Sequence, residues 1–344
     1  MRLILAPMEG LADEAMRDVL TRLGGFDLCV AEFVRITHHL LTERVLLRTV
    51  PELANGGCTP AGVPVRVQLL GSDPACLAEN AAFIASLGAP GIDLNFGCPA
   101  PVVNRHGGGA VLLQYPERIH AIVAAVRRAV PKHIPVTAKM RLGLEDTSLA
   151  LDGARAIEAG GADELTVHAR TRSDRYRPPA RWEWLAQIRE EVKLPVIANG
   201  DVWMPQDWER IRQVSGCADV MIGRGAITRP DLARRIKIGE QPMPWPELLP
   251  WVVDFYDRVR AKVVPKHAPG RLKQWLGMLR TAYPEAAALH QTLRTERDPD
   301  VIGRVLKELN GPLRQLHNTP SPLTGEGWDG GDQLQAPFAI SSGN

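Results

Sequence analysis

Eight short apolar runs, separated by longer amphipathic stretches, constrain this chain's fold more than any other feature. They are Leu3–Ala6, Leu28–Ala31, Val65–Leu70, Gly91–Leu94, Pro135–Met140, Glu164–Val167, Pro195–Ala198 and Asp219–Ile222. Most lack period-two alternation and so read as strands covered on both faces, the habit of a parallel sheet. Between most of them lie helical patterns such as Asp13–Leu23, Pro74–Leu87, Pro116–Val130, Ser148–Ala159 and Pro205–Val214. Several open on Pro, Asp or Ser, and several stop at a glycine: Gly24, Gly88, Gly160 or Gly216. Eight strand-and-crossover units in residues 1–238 predict an α/β chain of the (β/α)8 TIM barrel class. A doubly wound sheet would need fewer strands and usually a Gly-rich first turn, whereas the first turn here is A-P-M-E-G.

The Pro-rich stretch at 239–246 cannot continue a helix and is expected to be a linker. Residues 247–318 have helical periodicity and no strand signal, which predicts an all-helical C-terminal domain. Residues 319–344, rich in Gly, Pro and Ser, are expected to be a disordered tail. That tail holds three acids and no Lys or Arg, so the net charge of +2 conceals a modestly basic body. A nucleic-acid site would then be a patch, not a uniformly basic surface. The five cysteines are odd in number and lack metal-site spacing, arguing against disulfides and zinc and for a reducing compartment. With no signal-like or membrane-spanning run, a cytoplasmic, metal-free monomer is expected.

In such a barrel, chemistry belongs to the loops at the C-terminal strand ends. After the fourth run comes F-G-C-P, which places Cys98 on a constrained turn followed by Gly107–Gly109. A lone cysteine is often only a small buried hydrophobe. A thiol with an ordinary pKa of about 8.5 is also mostly protonated at neutral pH and can act as a general acid. After the fifth run, Lys139 and Arg141 point to an anion at the barrel mouth: a phosphate, or the negative edge of a reduced flavin. His168, Arg170 and Arg172 follow the sixth. A-N-G-D (198–201) and G-R-G (223–225) follow the seventh and eighth, in the position where barrels of this kind bind phosphate. Gln68 ends the third run, where it could meet one edge of a ring system laid along A-P-M-E-G.

These residues together resemble the tRNA-dihydrouridine synthases, most nearly their bacterial C-type class. The family signature is met by Ile92, Asp93, Leu94, Asn95, Gly97, Cys98, Pro99, Val103, Gly109 and Ala110. The similarity runs over about residues 1–316 and leaves out the acidic tail. It implies an FMN-containing barrel that reduces a tRNA uridine with NADPH or NADH, with Cys98 as the proton donor. It further implies that Pro7, Met8, Glu9, Gln68 and Lys139 meet the flavin. His168, Asn199, Gly200, Asp201, Gly223 and Arg224 would serve its phosphate. Asn95 and Arg141 would face the uridine, and the C-type class points to position 16 of the D-loop. Ala169 departs from the glycine usual in H-G-R, and Arg177-Pro178-Pro179 is bulkier than the usual loop.

The helical region supports RNA independently, with seven Lys or Arg and no acid between Arg258 and Pro284. Leu272, Trp275, Leu276, Leu279 and Tyr283 form an apolar stripe there, with Lys273 and Arg280 on one flank. Arg271, Lys273 and Arg280 are the expected tRNA contacts there, and the resemblance implies Arg35, on the barrel, as a further one. Three rivals use part of the pattern: a small-molecule FMN reductase of the dihydroorotate dehydrogenase type, a Schiff-base aldolase using Lys139, and a non-catalytic RNA-binding protein.

Overall fold

The computed structural model describes residues 1–317, with helix Pro299–His317 as its last element. The expected tail, and residue 318 of the expected helical domain, lie outside the described residues.

The strands are β1 (Leu3–Leu5), β2 (Leu28–Val30), β3 (Val34–Arg35), β4 (Val65–Leu70), β5 (Ile92–Phe96), β6 (Val136–Arg141), β7 (Glu164–His168), β8 (Val196–Asn199) and β9 (Val220–Ile222). All pairings between them are parallel. The sheet closes because β1 pairs with both β2 and β9 while β2 also pairs with β4. This is the expected eight-stranded TIM barrel, with one change at the second strand. There β2 and β3 share one edge of β4, β2 at Val65–Arg66 and β3 at Leu69–Leu70, with Glu32 and Phe33 between them. The second barrel strand is thus broken in the middle, and its upper half was too short to stand out as an apolar run.

The expectation of strands without alternation is corrected on one side of the barrel. From β4 to β7 the strands do alternate, with their polar residues turned inward. Gln68 Nε2 donates to Asp93 Oδ2 at 2.7 Å, and Thr137 Oγ1 donates to Asp93 Oδ1 at 2.6 Å, across two strand pairings. The intervening Val67, Leu94, Ala138 and Val167 belong to the large core between sheet and helices. From β8 round to β2 the interior is apolar instead, where Ile4, Ala6, Leu28, Val30, Ile197 and Met221 form their own cluster. Buried polar groups are tolerated inside only if their hydrogen bonds are met, and this network meets them. At the opposite end Arg2 bridges Glu164 and Asp219, both at 2.7 Å, and Arg66 also binds Glu164.

Four helices follow the barrel: Trp245–Lys262, Ala268–Leu279, Pro284–Leu293 and Pro299–His317. The first begins inside the expected linker because Pro246 sits in its first turn, where a missing N–H costs nothing. Trp275 is fully buried, donates its indole N–H to Ile227 O at 3.0 Å and packs edge-on to Phe255 with ring centroids 4.7 Å apart. The apolar stripe containing Trp275 is therefore core. Leu248, Phe255, Trp275 and Leu276 belong to the same continuous hydrophobic cluster as the barrel's outer face.

Candidate active site

A cavity of about 790 Å³ opens at the C-terminal strand ends. Cys98 and all eleven residues expected to hold the cofactor line it, as do Asn95 and Arg141. Arg35, Arg271, Lys273 and Arg280 do not.

Cys98 is nearly buried, on the turn that ends β5. Asn95 builds this turn: its Oδ1 accepts from Gly97 N at 2.9 Å and Cys98 N at 2.8 Å, while its Nδ2 donates to Gln68 Oε1 at 2.8 Å. A chain of bonds thus runs from Thr137 through Asp93, Gln68 and Asn95 to the Cys98 backbone. Asn95, expected to face a base, has most of its hydrogen-bonding capacity committed to this turn. Gln68 keeps one N–H and one lone pair available. From above, Ala110 N and Asn104 Nδ2 both donate to Cys98 O, at 3.1 and 2.9 Å. Burial pushes the Cys98 thiol above its ordinary value, so it is neutral at physiological pH and has a proton to give.

Gly109 makes this packing possible. It has φ +66°, and a Cβ there would stand 2.8 Å from Cys98 O and 3.1 Å from Cys98 Cβ. We expect Gly109→Ala to cost about 1–3 kcal/mol in stability and to slow turnover by displacing the thiol. Urea denaturation read beside steady-state rates checks this; an unchanged rate would show that the thiol tolerates the shift.

Across the cavity Lys139 projects from β6 with no protein hydrogen-bond partner among the described residues. Burial first, and then Arg141, lower its pKa to about 8. Arg141 is fixed by Gly97 O at 2.9 Å and by Thr171 O and Arg175 O, both at 3.0 Å. Its guanidinium also lies over the Tyr176 ring, 5.2 Å from the centroid. Burial, then Arg141 and Lys139, hold His168 well below the ordinary histidine range, so its imidazole is neutral. Arg170, fully buried beside it, pairs with Asp201 and donates to Arg177 O.

The turns after β8 and β9 converge on the same wall. Gly200 has φ +133° and Asp201 φ +53°, and Asn199 Nδ2 donates to Met221 O at 2.8 Å, joining the two strand ends. Among the described residues, the N–H groups of Gly200, Asp201 and Gly223 have no protein acceptor. Arg224 stands beside them, stacked 4.6 Å from the Tyr176 centroid and 5.1 Å from that of Trp203. Free N–H groups with adjacent cations make an anion cradle.

Three further contributors were given no role in the sequence reading. Asp93 is the buried centre of the inner network, and its signal was the polar alternation I-D-L-N. Trp203 packs on Arg224 directly after A-N-G-D. Phe33 lines the cavity and packs against the small cluster of Leu70, Cys98 and Val103, but the break between β2 and β3 hid its position.

The expected RNA contacts in the helical region divide. Arg280 is exposed. Arg271 instead pairs with Asp13 at 2.6 Å and donates to Gly10 O at 2.8 Å, binding the helices to the loop after β1. Lys273 donates to Arg294 O and Glu296 O. As placed, both cations are occupied within the protein. Arg35 ends β3, half-buried.

Fold and pocket together define a (β/α)8 barrel that gathers a neutral thiol, a half-buried lysine with no hydrogen-bond partner among the described residues and an anion cradle around one cavity. Comparison with known proteins agrees. The model of the dihydrouridine synthase family matches residues 4–300. The tRNA-dihydrouridine(16) synthase of Aquipseudomonas alcaligenes is 57% identical over 89% of this chain and 99% of its own. That of Cupriavidus necator is 56% identical over 90% and 98%. Among solved structures, a 2-naphthoyl-CoA reductase complex aligns with a TM-score of 0.53 at 14% identity, covering 70% of this chain and 50% of that one. An old yellow enzyme homologue from Zymomonas mobilis aligns at 0.51 and 13%, covering 70% and 90%. At such identities these two speak for the fold alone. The chain belongs to the dihydrouridine synthase family.

Proposed function

We propose that this protein is a cytoplasmic, monomeric tRNA-dihydrouridine synthase that reduces uridine 16 of the D-loop, with FMN as cofactor and NADPH, or NADH, as reductant. The observation that carries this reading is the pairing in one cavity of a neutral, backbone-clamped thiol with a half-buried lysine that has no hydrogen-bond partner among the described residues. The names and high identity of the relatives support position 16.

The residues fit FMN. The cradle of Gly200, Asp201, Gly223 and Arg224 would take its phosphate, with neutral His168 adjoining. The backbone of Pro7, Met8 and Glu9 would run along its ring, and Gln68 would offer its remaining donor and acceptor to the polar edge. Lys139 would neutralise the charge that builds there on reduction. When bound, FMN supplies the hydride to C6 of the uracil and is restored by the nicotinamide. Cys98 holds the proton destined for C5, and the thiolate left behind is reprotonated from solvent. Asn95 fixes the direction of the Cys98 backbone, and Phe33 with Val103 packs against the Cys98 side chain. The uridine must leave its stack to reach this cavity, at a cost of a few kcal/mol.

Incubating dihydrouridine-free tRNA with protein and NADPH, then mapping modified nucleosides by mass spectrometry, tests the whole proposal. A gain of two hydrogens confined to position 16 is the expected result. A gain elsewhere in the D-loop would overturn the position. No gain from protein that still oxidises NADPH would favour a small-molecule reductase.

Lys139 gives a pH prediction. Its ammonium is charged below about pH 8 and is the form that binds an anion. Affinity for reduced FMN, whose ring carries the negative charge, should therefore be constant below that pH and weaken by about tenfold per unit above it, until the pKa of the complex is reached. Fluorescence titration of the apoprotein measures this, and Lys139→Met should flatten the dependence.

A further inference from the structure

The loop between β7 and the helix Glu183–Glu191 contains five arginines: Arg170, Arg172, Arg175, Arg177 and Arg181. Four are occupied. Arg170 binds Asp201, Arg172 binds Glu145, Arg181 binds Asp174, and Arg177 donates to Ser173 O. Arg175 is exposed and lines the cavity, and its guanidinium has no acceptor among the described residues. Its backbone is also in the left-handed region, at φ +53°. Among the described residues only one other non-glycine, Asp201, shares that property, and it lies in the anion cradle. Two bonds hold Arg175 there: its own N–H to Arg172 O at 2.9 Å, and Arg141 Nη1 to its carbonyl at 3.0 Å. A side chain this loosely engaged does not account for a disfavoured backbone, and strain of this kind is typically kept where a ligand uses it.

We infer that Arg175 is a phosphate-binding residue at the cavity mouth, an inference that rests on the function proposed above. A nucleotide that places its ring in the cavity leaves its phosphates at the rim, where the planar guanidinium fork matches them. Both reaction partners carry such groups: the RNA in the phosphodiesters flanking its base, the nicotinamide dinucleotide in its pyrophosphate. Arg141 is buried and bound to backbone carbonyls, Arg172 pairs with Glu145 and Arg224 belongs to the cradle, which leaves Arg175 as the exposed lining arginine whose guanidinium has no acceptor among the described residues.

The test compares Arg175→Gly and Arg175→Lys with the wild type as flavin-loaded, full-length protein. Glycine relieves the left-handed strain, so Arg175→Gly should melt at a higher temperature. It should also bind one of the two nucleotide partners roughly tenfold more weakly, while Arg175→Lys retains most of the affinity. If the partner is RNA, the slope of log affinity for tRNA against log salt becomes shallower by about 0.7–0.9, one phosphate contact. If it is the dinucleotide, tRNA binding is unchanged and anaerobic flavin bleaching requires more NADPH. Unchanged affinity for both partners, or a lower melting temperature for Arg175→Gly, would overturn the assignment. Failure of the wild type to form dihydrouridine would instead count against the proposed function, because the binding comparisons do not depend on turnover.

Discussion

Replacing Cys98 with alanine should lower dihydrouridine formation by about 10²–10⁴-fold, the usual worth of a positioned general acid, while leaving FMN and tRNA binding in place. Cys98 lines the cavity. Its backbone is held by bonds from Ala110 N and Asn104 and to Asn95, none of which involves the sulfur. Deleting the sulfur therefore removes the proton donor without releasing the loop. Single-turnover assays with pre-reduced enzyme isolate this step, because reduction of the flavin by NADPH does not draw on the thiol. Normal reduction with arrested turnover is the expected pair of results. Near-normal turnover would mean that water or another group donates the proton, and that Cys98 is only a small buried side chain. Serine should recover little, since its hydroxyl is a far weaker acid than a thiol.

Glu52→Ala should destabilise the fold by about 3–5 kcal/mol, the cost of leaving a buried charge without its partner. Arg17 is fully buried and meets Glu52 through two parallel bonds, Nε to Oε1 at 2.7 Å and Nη2 to Oε2 at 2.8 Å, while Nη1 reaches Ala12 O at 2.9 Å. Removing both charges in an Arg17→Met, Glu52→Leu double variant should recover much of the loss, because a hydrophobic pair carries no desolvation penalty. Urea midpoints for the three proteins decide the matter. A small effect from Glu52→Ala alone would mean that water reaches the guanidinium. The pair also supports the site, since Arg17 anchors the end of the loop that carries Pro7, Met8 and Glu9.

Strand positions were legible in the sequence because burial on the helix-facing side demands Leu, Ile, Val or Ala at every second residue. Which way the others turn was not. In V-R-V-Q-L-L, Arg66 and Gln68 already mark the inward positions, yet polar residues inside a barrel look like interruptions until their partners on adjacent strands are known. Cys98, Lys139 and the two glycine turns could be placed because each immediately follows a strand, and strand ends share one face. The inward bonds of Asn95 and Gln68 could not be foreseen because their partners, each other and Asp93, lie 27 and 25 residues apart across the sheet. Arg271 and Lys273 were read as free cations for a related reason. A charge run shows no sign of the distant carboxylate or carbonyl that engages it, here Asp13 and the carbonyls of Arg294 and Glu296.

The common core of barrel and helices bears on how a folded RNA is modified. Trp275 and Phe255 share one hydrophobic core with the barrel, and Arg271 ties the helices to the loop after β1. The distance and tilt between the helical surface and the cavity are then constants of the protein, like the gap of a fixed caliper. Under the proposed function, an RNA held on that surface would itself have to bend and extrude a nucleotide to span the gap. Selection among uridines becomes a matter of which one its own geometry carries into the opening. A change of target would require moving the grip across the surface, since the caliper cannot be reset.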